Sequence, residues 1–245
     1  MQRIKCTVAY DGTPFAGYQV QPGKRTVQLE IEKALREIHK GEDVKITASG
    51  RTDAGVHAKG QVFHFDTGLS IPEEKWPTVL NSKLPPEIVL TWAEKVSGDF
   101  HSRFSAVKKE YRYCVYQNQA ADPFKRHFAL HYPFQINIEE MRNAAEYLIG
   151  EHDFTSFCSA KTEVADKVRT IYSIGIEEAE EEITFSYIGN GFLYNMVRIL
   201  SGTLLEVGRG KYTADDVRGM LEAADRGAAG KTAAPQGLYL WKVYY

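Results

Sequence analysis

The 245-residue sequence contains few cysteines and no long apolar segment, and each absence excludes a class of protein. Its three cysteines are widely spaced and form no C-x-x-C pair, which predicts reduced thiols and argues against a zinc site; they are Cys6, Cys114 and Cys158. No run of about 18 apolar residues occurs, so we expect no membrane span. The first residues do not resemble a signal peptide, and we expect a soluble cytoplasmic protein.

Net charge is also nearly absent: the formal value is −2 at pH 7, which argues weakly against a polyanionic partner. The average hides an uneven distribution, because five glutamates lie together in the run EEAEEE at residues 177–182. Between residues 101 and 130, six basic side chains stand against two acidic ones and alternate with tyrosines and phenylalanines. Such a segment suits phosphate contact and base stacking, and equally the solvated face of an ordinary sheet.

Apolar residues are plentiful, at 43% of the chain, and they recur with strand and helix periods. The first half predicts strands at 3–10, 44–50, 60–66 and 88–96, a helix after the N-cap Thr26, and a second helix at 73–84. The second half predicts a strand at 109–117, a helix at 138–148, a hairpin at 168–189 with the glutamates at its exposed turn, helices at 193–207 and after Thr213, and a strand at 238–245. This order indicates two similar α+β domains, 1–105 and 106–245, which we expect to share a mostly antiparallel sheet with helices on one face.

The segment SGRTDAGVHAKGQV at 49–62 is the most informative, because charged and small residues interrupt two apolar strands there. Gly50, Ala54 and Gly55 leave the backbone open to close approach by a ligand, and Arg51 and Asp53 project from it. From residue types alone, an Asx-turn in which Asp53 bonds its own backbone explains the loop as well.

The stretch GRTDAGVHA resembles the active-site signature of the tRNA pseudouridine synthase A (TruA) family. Further matches run along the whole chain: YDGTPFAGYQ at 10–19, FHSRFSA at 100–106, KEYRY at 109–113, DFTSF at 153–157, GNGFLYNMVRIL at 189–200 and APQGLYL at 234–240.

The resemblance implies a pseudouridine synthase fold with an active-site cleft between the two domains. It further implies that Asp53 is catalytic, that Tyr111 stacks on the target base, and that a homodimer modifies uridines 38, 39 and 40 in the anticodon stem-loop of tRNA. The reaction detaches uracil from the sugar at N1, turns it and reattaches it at C5. No electron or group is lost, so we expect no cofactor and no metal. A carboxylate near the sugar is required, as nucleophile or as base.

Arg198 lies on a helix that is apolar on most sides, so we expect that helix to be largely buried. A buried arginine needs an anionic partner, and Asp53 is the candidate, because pairing would keep the carboxylate ionised. The alternative is an arginine that reaches solvent or a distant glutamate. Arg51 is predicted to contact phosphate or to hold the flipped nucleotide open.

Two other functions compete with the synthase interpretation. The run AYDGTPF at 9–15 is similar to the DxDGT loop of aspartyl-phosphate phosphatases, but Ala9 stands where the nucleophile should be. A non-catalytic RNA-binding protein on the same fold is the second alternative. The joint presence of Asp53, Tyr111 and Arg198 argues against it.

Overall fold

The computed structural model describes residues 1–162 and 164–245, and the chain divides into two compact units. Unit 1 comprises Met1–Val107 and Tyr239–Tyr245, and unit 2 comprises Lys108–Leu238. The sequence-based domains, 1–105 and 106–245, place the last strand with the second half instead. Each unit contains helices and a mostly antiparallel sheet, which confirms the predicted α+β class.

The sheet of unit 1 contains five strands. They are β1 (Gln2–Tyr10), β2 (Thr47–Ala48), β3 (His57–Thr67), β4 (Ile88–Val96) and β10 (Leu238–Tyr244), with the order β4-β1-β3-β10 and β2 also on β3. β1 is antiparallel to β3 and β4, whereas β10 is parallel to β3, with Tyr239 opposite His57. β10 therefore lies beside the start of β3, directly after the predicted catalytic loop.

Two helices complete unit 1. α1 (Val27–Ile38) begins at the predicted N-cap Thr26, whose side chain accepts a hydrogen bond from the Leu29 N–H at 3.4 Å. α2 (Trp76–Asn81) follows a 3-10 turn at Glu73–Lys75, so the helix predicted at 73–84 is shorter than expected. Trp76 is fully buried and packs edge-on against Phe65 of β3, with ring centroids 5.1 Å apart.

Five strands also form the sheet of unit 2 where the structure describes the chain. They are β5 (Lys108–Tyr116), β6 (Leu130–His131), β7 (Gly150–Asp153), β8 (Val168–Ala179) and β9 (Glu182–Gly189), in the order β5-β9-β8-β7 with β6 on β5. β8 and β9 form the predicted antiparallel hairpin, and the glutamate run lies at its exposed turn. Only the short β6 pairs in parallel among the described strands of this unit.

The described residues of unit 2 form three α-helices: α3 (Ile138–Glu146), α4 (Met196–Gly208) and α5 (Ala214–Ala223). α5 begins with a capping box, in which the Thr213 and Asp216 side chains each accept a hydrogen bond from the other residue's backbone. α4 is buried along nearly its whole length, as its apolar sequence predicts. Across residues 1–162 and 164–245, no helix is both long and apolar enough to cross a membrane.

Candidate active site

The predicted catalytic loop connects β2 to β3 in unit 1. The Asp53 side chain is half-buried, whereas Arg51, two residues earlier, is exposed to solvent. The Val56 N–H donates to the Asp53 carbonyl oxygen at 3.1 Å and closes a turn, in which Gly55 has a φ of +76°. A glycine suits this position because other residues adopt such a φ at a cost. Asp53 is thus the first residue of a hydrogen-bonded turn.

Residues 10–18 hold this loop before Asp53. The Thr52 carbonyl oxygen accepts a hydrogen bond from the Tyr18 N–H at 3.0 Å, and the Thr52 hydroxyl lies 2.7 Å from the Tyr10 hydroxyl. Gly17 has a φ of +101°, and a Cβ there would lie 3.0 Å from the same Thr52 oxygen. The two segments are thus in contact through backbone and side chain together.

The same segment holds the loop after Asp53. The Gly12 N–H donates to Nδ1 of the buried His57 at 3.0 Å. A Cβ on Gly12 would lie only 2.0 Å from the Val56 carbonyl oxygen, so the two backbones are in direct contact. The His57 ring stacks on Tyr239 of β10, with centroids 4.7 Å apart and an interplanar angle of 23°. Asp53 is therefore bracketed by fixed points on both sides.

Gln61 of β3 anchors the start of the loop. Its Oε1 accepts a hydrogen bond from the Ser49 hydroxyl at 2.7 Å, and its Nε2 donates to the Gly50 carbonyl oxygen at 2.9 Å. Both Gln61 and Ser49 are fully buried. The sequence alone did not predict these contacts, nor those of Tyr10, Gly12 and His57, although these three residues lie inside or beside the quoted motifs.

Tyr111, the predicted stacking residue, lies on β5 in unit 2, directly opposite Tyr187 of β9. Its side chain is 9% exposed, and it packs edge-on against Phe192 with centroids 5.1 Å apart. A ring held in this way has a fixed orientation. Only a small part of it reaches solvent.

Arg198 lies on α4 and is half-buried. Its Nε donates to the Ala233 carbonyl oxygen at 2.8 Å, and its Nη1 donates to Asn195 Oδ1 at 2.9 Å. The Ala233 N–H donates in turn to the Arg198 carbonyl oxygen at 3.0 Å. Two neutral oxygens thus accept hydrogen bonds from the guanidinium, and the pairing of Arg198 with Asp53 stays a prediction.

The basic and aromatic segment at 101–130 divides into buried and exposed aromatic residues. Tyr113 and Tyr116 are almost fully buried, and burial raises the pKa of Tyr113 well above its ordinary range, so these rings are core residues. Phe104 and Phe124 are 76% and 88% exposed. The Phe104 ring already stacks on His101, with centroids 4.3 Å apart.

The cysteines are free thiols, and burial raises the pKa of Cys114 and Cys158 above the ordinary value. Both are therefore protonated at neutral pH and weak as nucleophiles. In the part of the chain that the structure describes, no three His, Cys, Asp or Glu side chains lie close enough together to bind a metal ion.

Comparison with known proteins identifies the family. A family model described as tRNA pseudouridine synthase matches residues 7–105 and 144–245. The tRNA pseudouridine synthase A of Bacillus subtilis (strain 168) is 60% identical over 244 residues, covering 99% of each chain. The enzyme of the same name from Geobacillus sp. (strain WCH70) is 57% identical, covering 100% of this chain and 98% of the relative.

A solved structure of the archaeal box H/ACA Nop10–Cbf5 complex also matches, at 14% identity and a TM-score of 0.37, covering 91% of this chain and 59% of that one. A likeness this weak supports no statement about the chain. The family is shown instead by the full-length identity to the bacterial enzymes and by the family match over most of the sequence. The chain belongs to the tRNA pseudouridine synthase family.

Proposed function

We propose that this chain converts uridine to pseudouridine at positions 38, 39 and 40 in the anticodon stem-loop of tRNA, with Asp53 as the catalytic carboxylate. The family is one of isomerases that act on tRNA, and its membership supports the reaction class. The three positions rest on the resemblance of the motifs. The single observation that carries Asp53 is the loop itself, in which a half-buried carboxylate lies between two rigid attachments.

The reaction requires little beyond a well-placed carboxylate. The bond from the sugar C1′ to N1 breaks, the uracil turns, C1′ bonds to C5, and the C5 proton is finally lost while N1 gains one. Asp53 either attacks the sugar or removes a proton from it, and both roles need the carboxylate held at a fixed distance from the ribose. The hydrogen bonds of Thr52 and His57 support such a fixed position.

The other predicted residues act on the substrate around Asp53. Extracting a base from its stack costs a few kcal/mol, and Tyr111 is proposed to stack on the extracted base and offset part of that cost. Arg51, exposed on the same loop, is proposed to contact phosphate or to keep the flipped nucleotide open. Arg198 is proposed to keep Asp53 ionised and correctly directed.

The partner is tRNA, and we propose a homodimer in which one RNA touches both subunits, located in the cytoplasm where tRNA is modified. The dimer follows from the motif resemblance, and the location from the substrate. A non-catalytic RNA-binding protein remains the alternative function. It would bind the same RNA and leave uridine unchanged.

Mapping of pseudouridine in tRNA by mass spectrometry, after incubation with purified protein, tests the proposal. The wild type should form pseudouridine at positions 38–40, and Asp53→Asn should form none while its tRNA affinity stays within about tenfold, because phosphate contacts supply most of the affinity. Asp43→Asn is the matched control, since it removes a charge from an exposed carboxylate 3.4 Å from Arg36. Binding without modification by the wild type would favour the alternative.

A further inference from the structure

Two contacts between residues 10–18 and the catalytic loop bracket Asp53, and we call this pair of contacts the clamp. One joins the hydroxyls of Tyr10 and Thr52, directly before Asp53. The other joins the Gly12 N–H to His57 Nδ1, four residues after it. The four loop residues 53–56 thus lie between two points, Thr52 and His57, that are both attached to one short segment. A shift of either attachment moves the carboxylate.

The His57 contact is unusual because the acceptor is an imidazole nitrogen inside the core. Nδ1 must carry a lone pair in order to accept from Gly12, so any proton on the neutral ring sits on Nε2. The ring is 1% exposed, stacks on Tyr239 and has its backbone in β3, so it cannot turn away from Gly12 without repacking. Stacking and hydrogen bonding fix the same ring in two directions.

The Asp11 carboxylate lies close to the same nitrogen and is a second possible hydrogen-bond partner for it. Its Oδ1 is 3.2 Å from His57 Nδ1, and it already accepts from the Thr13 N–H at 2.9 Å and the Thr13 hydroxyl at 2.6 Å. A proton on Nδ1 would point to that carboxylate and leave the buried Gly12 N–H without its acceptor. The need of the buried Gly12 N–H for an acceptor therefore favours the tautomer with its proton on Nε2.

Gly12 transmits the contact to the loop. A Cβ at Gly12 would lie within 2.0–3.0 Å of three backbone atoms of Val56, so these two backbones touch with no side chain between them. The Val56 N–H, in turn, bonds the Asp53 carbonyl oxygen at 3.1 Å. A continuous path of direct contacts thus runs from the imidazole through Gly12 and Val56 to the backbone of Asp53.

We propose that His57 is a positioning residue of the isomerisation: by accepting from Gly12 at Nδ1 and stacking on Tyr239, it fixes the turn that carries Asp53. This inference rests on the proposed function, in which the Asp53 carboxylate must meet the ribose at a set distance. His57 does not need to touch the substrate. Its loss is expected to impair the chemical step and to leave tRNA binding largely intact.

Two substitutions of His57 distinguish the effect of its hydrogen-bond acceptor from the effect of its aromatic ring. His57→Phe keeps a ring to stack on Tyr239 and removes the acceptor, whereas His57→Asn places an amide oxygen near the position of Nδ1 and removes the ring. Single-turnover pseudouridine formation, tRNA affinity and amide hydrogen exchange of residues 10–18 and 49–57 are measured for each. If His57→Phe does not fold, His57→Gln replaces it, since its amide reaches the position of Nε2 and not that of Nδ1.

We expect His57→Phe to slow the single-turnover step about 10- to 100-fold, to change tRNA affinity less than about threefold, and to speed exchange in both segments. His57→Asn should recover at least about fivefold of the rate. A His57→Phe rate within about threefold of the wild type overturns the proposal, as does equal loss in both variants with unchanged exchange. If the wild type forms no pseudouridine, the proposed function fails. Amide hydrogen exchange then tests the positioning role by itself, and exchange in His57→Phe that equals the wild-type exchange refutes that role.

Discussion

Replacing Gly12 by alanine should separate catalysis from binding, because the added methyl group meets the backbone of the loop that carries the proposed catalytic residue, Asp53. The new Cβ would lie 2.0 Å from the Val56 carbonyl oxygen, and ordinary contact begins near 3.4 Å. The two backbones must therefore move apart by about 1.4 Å, since neither can rotate away as a flexible side chain would. A displacement of about 1 Å at a catalytic group can lower the rate about 100-fold.

We expect Gly12→Ala to lower the single-turnover rate of pseudouridine formation at least about 100-fold and the free energy of unfolding by about 1–3 kcal/mol. Affinity for tRNA should change less than about threefold. The assay combines rapid-quench kinetics, filter binding and urea unfolding.

Gly68→Ala is the matched control, because Gly68 is exposed and a Cβ there meets nothing within 4 Å. It should keep the wild-type rate and lose no stability. A Gly12→Ala enzyme that turns over within about threefold of the wild type would show that the loop yields without moving Asp53, and the reasoning about the clamp would be wrong.

Three further predictions concern charge. In a double-mutant cycle of Arg198→Met and Asp53→Asn, the stability losses should deviate from additivity by more than about 0.5 kcal/mol if the predicted pairing exists, and simple addition would assign Arg198 another role. The affinity for tRNA should fall with salt at a log-log slope of roughly −0.7 to −0.9 for each phosphate neutralised, and Lys108→Glu should flatten the slope; an unchanged slope would remove Lys108 from the RNA face. Burial lowers the pKa of His64 to about 4, below the value of about 6.5 in the unfolded chain. The free energy of unfolding therefore includes the full benefit of an uncharged, buried His64 above about pH 6.5, and this benefit is lost as the pH falls to about 4, a change on the order of 3 kcal/mol. His64→Gln should make the free energy of unfolding, measured with urea, less dependent on pH over that interval.

Elements with a strong local signal were predicted closely. The strand predicted at 88–96 coincides with β4, and α1 begins after the expected cap, Thr26. Apolar alternation and capping act between near neighbours, so the sequence expresses them directly. The same holds for the hairpin of β8 and β9.

Other elements depend on distant partners. The strand predicted at 44–50 is shortened to Thr47–Ala48. Before it, the Ile46 N–H donates to the Glu32 side chain of α1, at 3.3 Å, instead of to a strand, whereas after it the Ser49 N–H still donates to the Val62 carbonyl oxygen of β3 at 2.7 Å. No local pattern reveals that competition. The parallel pairing of β10 with β3 joins residues about 180 positions apart, and composition could not have placed it.

The residues of the candidate site were also predicted unevenly. Asp53 and Arg51 were singled out because small and charged residues mark their loop and because the loop resembles the family signature; their roles stay predictions. The contact of His57 with Gly12 was missed because a histidine in a strand is usually an ordinary core residue. Contacts between residues 42 and 45 positions apart appear only in three dimensions.

The pairing of β10 with β3 also bears on the order in which the protein can be completed during translation. Tyr239–Tyr245 belong to unit 1, yet the ribosome makes them only after all of Lys108–Leu238. At roughly 5–20 residues per second, unit 1 waits about 7 to 25 seconds with β3 lacking its parallel neighbour. During that interval His57 has no Tyr239 to stack on, so the loop that carries Asp53 acquires this support only when β10 has been synthesised.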